Sequence, residues 1–325
     1  MRQIGKWLLG IAAVAAAGVA LLAPASAQSW PNQRVTIVVP FGAGSVTDIL
    51  ARIFADEMGR RWNQQVIVEN RPGLAGTAAV AKATPDGYTL MVTSNGHTVA
   101  GLVTKERPFD PVKDFAGITR LGSAPLFLIT HPDVPAKSLK EIIELAKKEP
   151  GKLNFSSPGL ASTTFIAGAQ FRRVAGVNIV HVPYKSAPDA VTAVIRGDAQ
   201  LYFAPVNLAR DQSQAGKVRA IAAATAARIP ELPDTPTFTE AGLPFVYDSW
   251  FGLIAQAAVP KPILEKISKD WAEALKTPAM KDRLEKQFLI GQSDTPAEMD
   301  KIIRDETAQL TETFKAAGIG AAAAK

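Results

Sequence analysis

The chain has 325 residues, 36 Lys plus Arg against 30 Asp plus Glu, no cysteine, and a formal charge of +6. Without cysteine there is no disulfide framework and no thiol chemistry, so a hydrophobic core alone must hold the fold. The charge excess is mild and forms no Lys/Arg cluster, which excludes nucleic acid as an expected partner and leaves a weak pull on anionic solutes.

Met1–Trp7 carries Arg2 and Lys6 and no acid, Leu8–Ala23 is uncharged and apolar, and Ala25-Ser26-Ala27 fits a small-residue cleavage site. This pattern predicts a secretory signal peptide over residues 1–27, cleaved after Ala27. The apolar run of 16 residues falls short of the roughly 20 needed to span a bilayer. Taking residues 1–27, with Arg2 and Lys6, from the total leaves 298 residues at charge +4. That length suits one large domain or two of ordinary size.

Arg34–Val39 is a β-branched run that reads as a buried strand. A Gly-rich turn, Phe41–Thr47, follows. From Asp48 the apolar residues Ile49, Leu50, Ile53, Phe54 and Met58 have helical spacing. A strand, a tight glycine loop and a helix N-terminus form an anion site, because the first amides lack intrahelical partners and the dipole favours negative charge. A carboxylate or phosphate is therefore expected near Ser45. Gln65–Val68 is the next strand, followed by the turn Arg71–Gly76 and a short helix over Thr77–Ala83. Tyr88–Thr93 is a strand that delivers Ser94, Asn95, Gly96 and His97 to its carboxyl end.

Ser138-Leu139-Lys140-Glu141 is a capping box opening a helix to about Lys148. Leu153–Ser156, Asn178–Val182, Ala199–Phe203 and Val218–Ala224 read as strands. Helices are predicted near Ser162–Val174, Pro188–Arg196 and Leu208–Ala215. Thr295-Pro296-Ala297-Glu298 opens a long last helix through Phe314. Alternating strands and helices predict parallel sheets flanked by helices, with ligands at the carboxyl ends of strands. Polar, mostly Gly-containing segments recur at those ends, at 42–48, 94–97, 156–163 and 204–207. They suggest a cleft between two α/β lobes, with crossings within Gly117–Ile129 and Phe245–Ile254.

Several chemistries are missing. Gly42-Ala43-Gly44-Ser45-Val46-Thr47 approaches a dinucleotide fingerprint, but Thr47 replaces the glycine that lets the helix pack on the sheet. Gly216-Lys217-Val218 lacks the hydroxyl residue of a phosphate loop. There is no Gly-x-Ser-x-Gly and no His/Cys/Asp/Glu cluster with metal spacing, so neither a cofactor nor a metal is expected. The residues alone leave one enzymatic alternative, an exported α/β hydrolase of small acid esters using Ser94 or Ser162 with His97. A solute-sensing module for a membrane sensor is another alternative.

Pro40-Phe41-Gly42-Ala43-Gly44-Ser45-Val46-Thr47-Asp48-Ile49-Leu50-Ala51-Arg52 is similar to the pattern Pro-Phe-x-Pro-Gly-Gly-x-x-Asp-x-x-Ala-Arg. Val68–Thr77, Pro85–Leu90, Val182–Lys185, Gly216–Ala220, Glu240–Pro244 and Trp250–Leu253 match further segments in order. In these the chain resembles the solute-binding proteins of tripartite tricarboxylate transporters, the Bug family. The resemblance implies a two-lobed periplasmic binding protein of the type II fold, closing on a small organic acid, often a di- or tricarboxylate; an aromatic carboxylate is expected if Phe165 faces the cleft. It also implies a periplasmic location, delivery to membrane transporter subunits and no chemistry. The expected lobes are 28–124 with 249–325, and 125–248, in a monomer. Three departures bear on the ligand. Ala43-Gly44-Ser45 stands for Pro-Gly-Gly, Phe165 for a His, and Ser186 for a Gly.

The expected ligand contacts are Gly44, Ser45, Thr47 and Asp48 in the first loop, and Ser94, Asn95 and His97 in the second. Ser157, Ser162 and Thr163 follow in the third, then Tyr184 and Lys185. Each has a plainer reading. Ser45 and Thr47 cap the helix, Asp48 caps it or orients the loop amides, the 94–97 residues form a turn, and Lys185 stays solvated. Phe165 is expected in the core, with Ile166, Ala169 and Phe171 on the same apolar helix.

Overall fold

The computed structural model describes residues 30–102 and 108–316. The signal-peptide expectation for residues 1–27 lies outside them. The strands are β1 (Val35–Val39), β2 (Val66–Asn70), β3 (Thr89–Ser94), β4 (Phe115–Ser123), β5 (Leu126–Thr130), β6 (Asn154–Ser157), β7 (Val180–Pro183), β8 (Leu201–Pro205), β9 (Arg219–Ala223), β10 (Trp250–Gln256) and β11 (Ile290–Gly291). The helices are α1 (Val46–Trp62), α2 (Leu74–Ala81), α3 (Gly96–Val99), α4 (Leu139–Lys148), α5 (Thr163–Ala175), α6 (Ala187–Ile195), α7 (Val206–Gln214), α8 (Lys261–Leu275), α9 (Pro278–Glu285) and α10 (Pro296–Ala316).

The strands form two sheets, ordered β11-β4-β10-β3-β1-β2 and β7-β6-β8-β5-β9. β1 is parallel to β2 and β3, and β6 is parallel to β7 and β8. The sheets are nevertheless mixed, which corrects the expectation of parallel sheets. β10 runs antiparallel to β3 and β4, β5 runs antiparallel to β8 and β9, and the short β11 opposes β4. The reason is where the chain changes sheet. It leaves the first sheet at the carboxyl end of β4 and enters the second as β5 after only two intervening residues. It returns as β10, whose first residue Trp250 pairs with Ser123 at the end of β4. A strand that enters at the carboxyl edge must run against its neighbours. The two crossings lie side by side, with the Ala124 amide donating to the Ser249 carbonyl at 3.2 Å.

Each sheet has its own core. In the first, Ile37, Leu50, Phe54, Leu253 and Trp271 pack between the sheet and helices α1 and α8. In the second, β8 alternates by the two-residue strand period. Leu201 and Phe203 join Phe155, Phe165, Phe171 and Phe238 on one face, and Tyr202 and Ala204 join Phe127 and Val194 on the other. Phe165 is buried in the core as expected, edge-on to Phe314. Both predicted helix starts are capped, the one at Thr295 by a complete capping box and the one at Ser138 by a variant in which the carboxylate reaches one residue further back. Ser138 Oγ accepts from the Glu141 amide, while the Glu141 carboxylate accepts from the Lys137 amide. Thr295 Oγ1 accepts from the Glu298 amide, and the Thr295 amide donates back to the carboxylate. Helices α8 and α9 have no counterpart among the elements expected from sequence.

The last helix belongs to both halves. Its 21 residues reach about 31 Å. Met299 and Ile303 pack with Trp250 and Ile254 on the first sheet, whereas Leu310 and Phe314 lie in the core of the second.

Gly168, in α5, shows how tightly this second core is filled. A Cβ there would stand 2.3 Å from the ring of Phe155. That ring is flanked by Phe165 and His181. Gly168→Ala gains about 1 kcal/mol of helix propensity but incurs overpacking of about 1–3 kcal/mol. With the ring held on two sides the overlap wins. The variant is expected to unfold at lower denaturant with an unchanged slope; equal or greater stability would show that the ring is free to move.

Candidate functional site

The carboxyl ends of the parallel strands place the four polar segments. The first loop follows β1. The Ser45 amide donates to the Gly42 carbonyl at 3.2 Å, and Gly44 takes a positive φ of 79°. Ser45 is the N-cap of α1, its Oγ accepting from the Asp48 amide at 3.2 Å. The helix is therefore capped by Ser45, and Asp48 takes the loop-orienting role. Its carboxylate, 4% exposed, accepts from the Gly44 amide (2.9 Å), from Asn70 Nδ2 (2.9 Å) and from Arg52. Asn70 also donates to the Phe41 carbonyl at 3.2 Å. Burial pushes the Asp48 carboxyl up, but the bonds from Arg52, Gly44 and Asn70 outweigh it and hold the group below its ordinary value. The acid in this loop is thus neutralised and spent on shaping it. Gly42, Ala43 and Gly44 stay exposed, and the first amides of α1, at Val46 and Thr47, have no acceptor within the helix.

The second loop, after β3, turns inward. Ser94 Oγ accepts from the Gly96 amide at 3.3 Å. Asn95 is fully buried, and its Nδ2 donates to the Asp248 carbonyl (3.2 Å) and to Glu306 of α10 (2.7 Å). His97 is 3% exposed, stacked on Phe109 and edge-on to Phe115. Its Nε2 lies 2.9 Å from the Pro111 carbonyl, which assigns the ring proton to Nε2. Burial lowers its pKa to about 4. Neither Ser94 nor Ser162 bonds to His97, so the pairing that the hydrolase alternative needs is not assembled.

The third loop, after β6, repeats the first in outline. Ser162 caps α5, accepting from the Phe165 amide at 3.2 Å and donating to the Gly159 carbonyl at 2.7 Å. Ser157 is buried, its Oγ 2.7 Å from His181 Nε2. The sequence reading missed this Ser–His pair, because the two residues lie on adjacent strands rather than in one motif. His181 packs 4.5 Å from the Phe165 ring, and burial, with Arg172 nearby, lowers its pKa to about 4. Thr163 is buried in the first turn of α5. Tyr184 follows β7, its amide donating to the Ser157 carbonyl at 2.8 Å. Tyr184 and exposed Lys185 line a groove with Asp189, Thr192, Arg196 and Asp198 that takes in no residue of the first two loops.

The second and third loops touch. A Cβ on Gly96 would fall 1.9 Å from the Ala161 carbonyl oxygen, and Val99 of α3 packs in the second core with Leu160 and Ala161. No hydrogen bond among the described residues joins the first loop to the third. Nor is any group of three His, Cys, Asp or Glu among them placed to hold a metal.

Comparison with known proteins decides the family. Residues 50–319 match the family described as "Tripartite tricarboxylate transporter family receptor". The chain belongs to this family. It is similar to Rpa4515 of R. palustris, solved with adipate, at 29% identity and a TM-score of 0.79, covering 90% of this chain and 99% of that one. It is also similar to the periplasmic binding protein BugD, at 30% identity and a TM-score of 0.75, covering 90% and 99%. MatC of Rhodopseudomonas palustris, with bound malate, gives 29% identity and a TM-score of 0.75 over 87% and 99%. The chain is therefore a two-lobed periplasmic solute-binding protein, not an enzyme.

The first loop gives a direct test of how it is held. Asp48→Asn removes the charge that Gly44, Arg52 and Asn70 address. Hydrogen bonds to a charged group contribute about 1.5–3 kcal/mol, so a loss of that order is expected at neutral pH. Because the folded pKa is depressed, this stability is present above the unfolded value, 3.8, and is lost as pH falls through the folded one. Denaturant midpoints of the two proteins are expected to differ at pH 7 and to draw together progressively as the pH falls below 3.8. A constant gap would contradict the ionic account.

Proposed function

We propose that this protein captures a small organic acid between its lobes and delivers it to a tripartite tricarboxylate-type membrane transporter. The observation that carries the reading is the first loop. Its one acid is internally neutralised, its glycines are exposed, and the N-terminus of α1 stands behind them. Adipate in Rpa4515 and malate in MatC are both dicarboxylates, which favours an acid here. In this reading Gly44, Ser45 and Thr47 receive one carboxylate, Ser162 and Thr163 face it from the other lobe, and buried Ser157 shapes their loop. Asp48, Ser94, Asn95 and His97 shape the loops around the ligand, and Tyr184 and Lys185 meet its distal end. The lobes divide at 124/125 and 248/249, where strands change sheet, and the end of α10 is shared between them. The mature protein begins at Gln28 and works as a monomer.

A thermal-shift panel of mono-, di- and tricarboxylates tests this. A ligand at 100 times its dissociation constant adds about 2.7 kcal/mol. Shifts from sugars or amines, with none from any acid, would reject the proposal.

Ser45 sharpens the test, because the structure makes it a helix cap. Ser45→Ala is expected to lower stability by about 0.5–2 kcal/mol and to weaken binding only in part, since backbone amides remain. Asp caps a helix as well as Ser does, so Ser45→Asp keeps the fold while setting a like charge against the ligand. Calorimetric titration is expected to show a large loss of affinity at near wild-type stability. Wild-type affinity in Ser45→Asp would remove the first loop from the site.

A further inference from the structure

Glu306 is a partly buried carboxyl group, strongly desolvated, that the binding site does not use. It lies on α10, where that helix passes between the two cores. Its Oε1 accepts from Asn95 Nδ2 at 2.7 Å and its Oε2 from Trp250 Nε1 at 2.8 Å. Asn95 belongs to the second loop, and Trp250 opens β10 at the return crossing. Asn95 Nδ2 also donates to the Asp248 carbonyl. A carbonyl can only accept, so the amide orientation is fixed, and Asn95 Oδ1 is left buried without a partner. One side chain thus ties the last helix, the second loop and the crossing segment together.

The surrounding charges do not neutralise it. From the crossing segment, Tyr247 and Asp248 face it, and both act against its negative charge or are disfavoured by it. Arg120 of β4 is held by Asp248 at 2.7 Å and by Asp294 at 2.7 Å. From α3 the facing group is the Thr98 hydroxyl, and His97 is committed to Pro111. On its own helix, Lys301 and Arg304 pair with Asp305. Among the described residues no cation forms an ion pair with Glu306.

We propose that Glu306 is a positioning residue for the ligand loop, and that protonation there loosens its hold on Asn95 and Trp250 and so couples external pH to solute capture. The physical step is simple. Both bonds are charge-assisted, and a proton removes that charge and turns one oxygen into a hydroxyl, a poorer acceptor, so the contacts to Asn95 and Trp250 both weaken. Burial pushes the Glu306 carboxyl up to about 7, against the bonds from Asn95 and Trp250. The switch therefore falls within the range a periplasmic protein meets. Only the last step, from loop to ligand, rests on the acid-binding reading above.

The test begins without ligand. In 15N-labelled protein, the Trp250 indole N–H, the Asn95 carboxamide and the Gly96 amide are followed from pH 5.5 to 8.5, with Trp250→Phe assigning the indole. All three are expected to move with one midpoint near 7, and Glu306→Gln is expected to abolish that midpoint. Calorimetry with the acid giving the largest thermal shift is then expected to show severalfold weaker binding at pH 6 than at pH 8 in wild type. The same titration in Glu306→Gln is expected to be flat. Invariant resonances, a midpoint that survives in Glu306→Gln, or equal affinity at both pH values while the resonances move would each overturn the proposal. Should Glu306→Gln fail to fold, the wild-type titration decides. Should no acid bind, the functional proposal fails and the three ligand-free resonances alone decide this one.

Discussion

The pair of chain crossings constrains everything else in this molecule. Two short segments, at 124–125 and 248–249, carry the polypeptide from one sheet to the other and back. Both leave from and arrive at carboxyl edges. This sets β5 and β10 against their neighbours, and it turns the loop-bearing edges of the two sheets toward the same junction. Arg120 holds the junction, with a two-pronged contact to Asp294 and a third bond to Asp248. Arg120 is 22% exposed at the side chain and Asp294 is 8%, so this network is shielded from the screening that weakens surface pairs.

The anion site proposed for the first lobe depends on how an acid is disposed of. A free carboxylate beside an anion site would repel the ligand. Asp48 instead accepts from a loop amide, an Asn and an Arg, so its charge is spent inside the loop. Arg52 is in turn occupied, leaving the helix N-terminus rather than a fixed cation to attract an acid. The same division recurs in the second lobe, where Ser162 caps α5 and the Ser157–His181 pair is internal. Such sites are built from backbone donors that no side-chain motif announces.

The serine–histidine pair also shows why proximity is not chemistry. A 2.7 Å contact between Ser157 Oγ and His181 Nε2 has the spacing of a nucleophile and its base. The histidine is wedged against Phe155 and Phe165, and the hydroxyl also accepts from the Gly159 amide. With burial holding the ring neutral, the pair serves as loop scaffolding in a binding protein.

By itself the sequence determined the local elements whose signals are local. The β-branched Arg34–Val39 run, the helix starts at Ser138 and Thr295 and the strand–loop–helix unit at Ser45 each depend on residues a few positions apart, and each formed where the pattern put it. The signals at Pro262, Thr277 and Pro278 are of the same kind and mark the starts of α8 and α9. Tertiary structure decided what involves distant residues. Strand direction at β5 and β10 follows from where the chain enters a sheet. The burial of Asn95 and His97 follows from α10 and the 109–115 segment closing over a loop that reads as an exposed turn. In the sequence Glu306 is one charge among many on a long helix, and only packing onto Asn95, at a separation of 211, desolvates it. Local pattern records what a residue can do with its neighbours in sequence; desolvation, which sets charge state and partner, depends on everything that arrives around it.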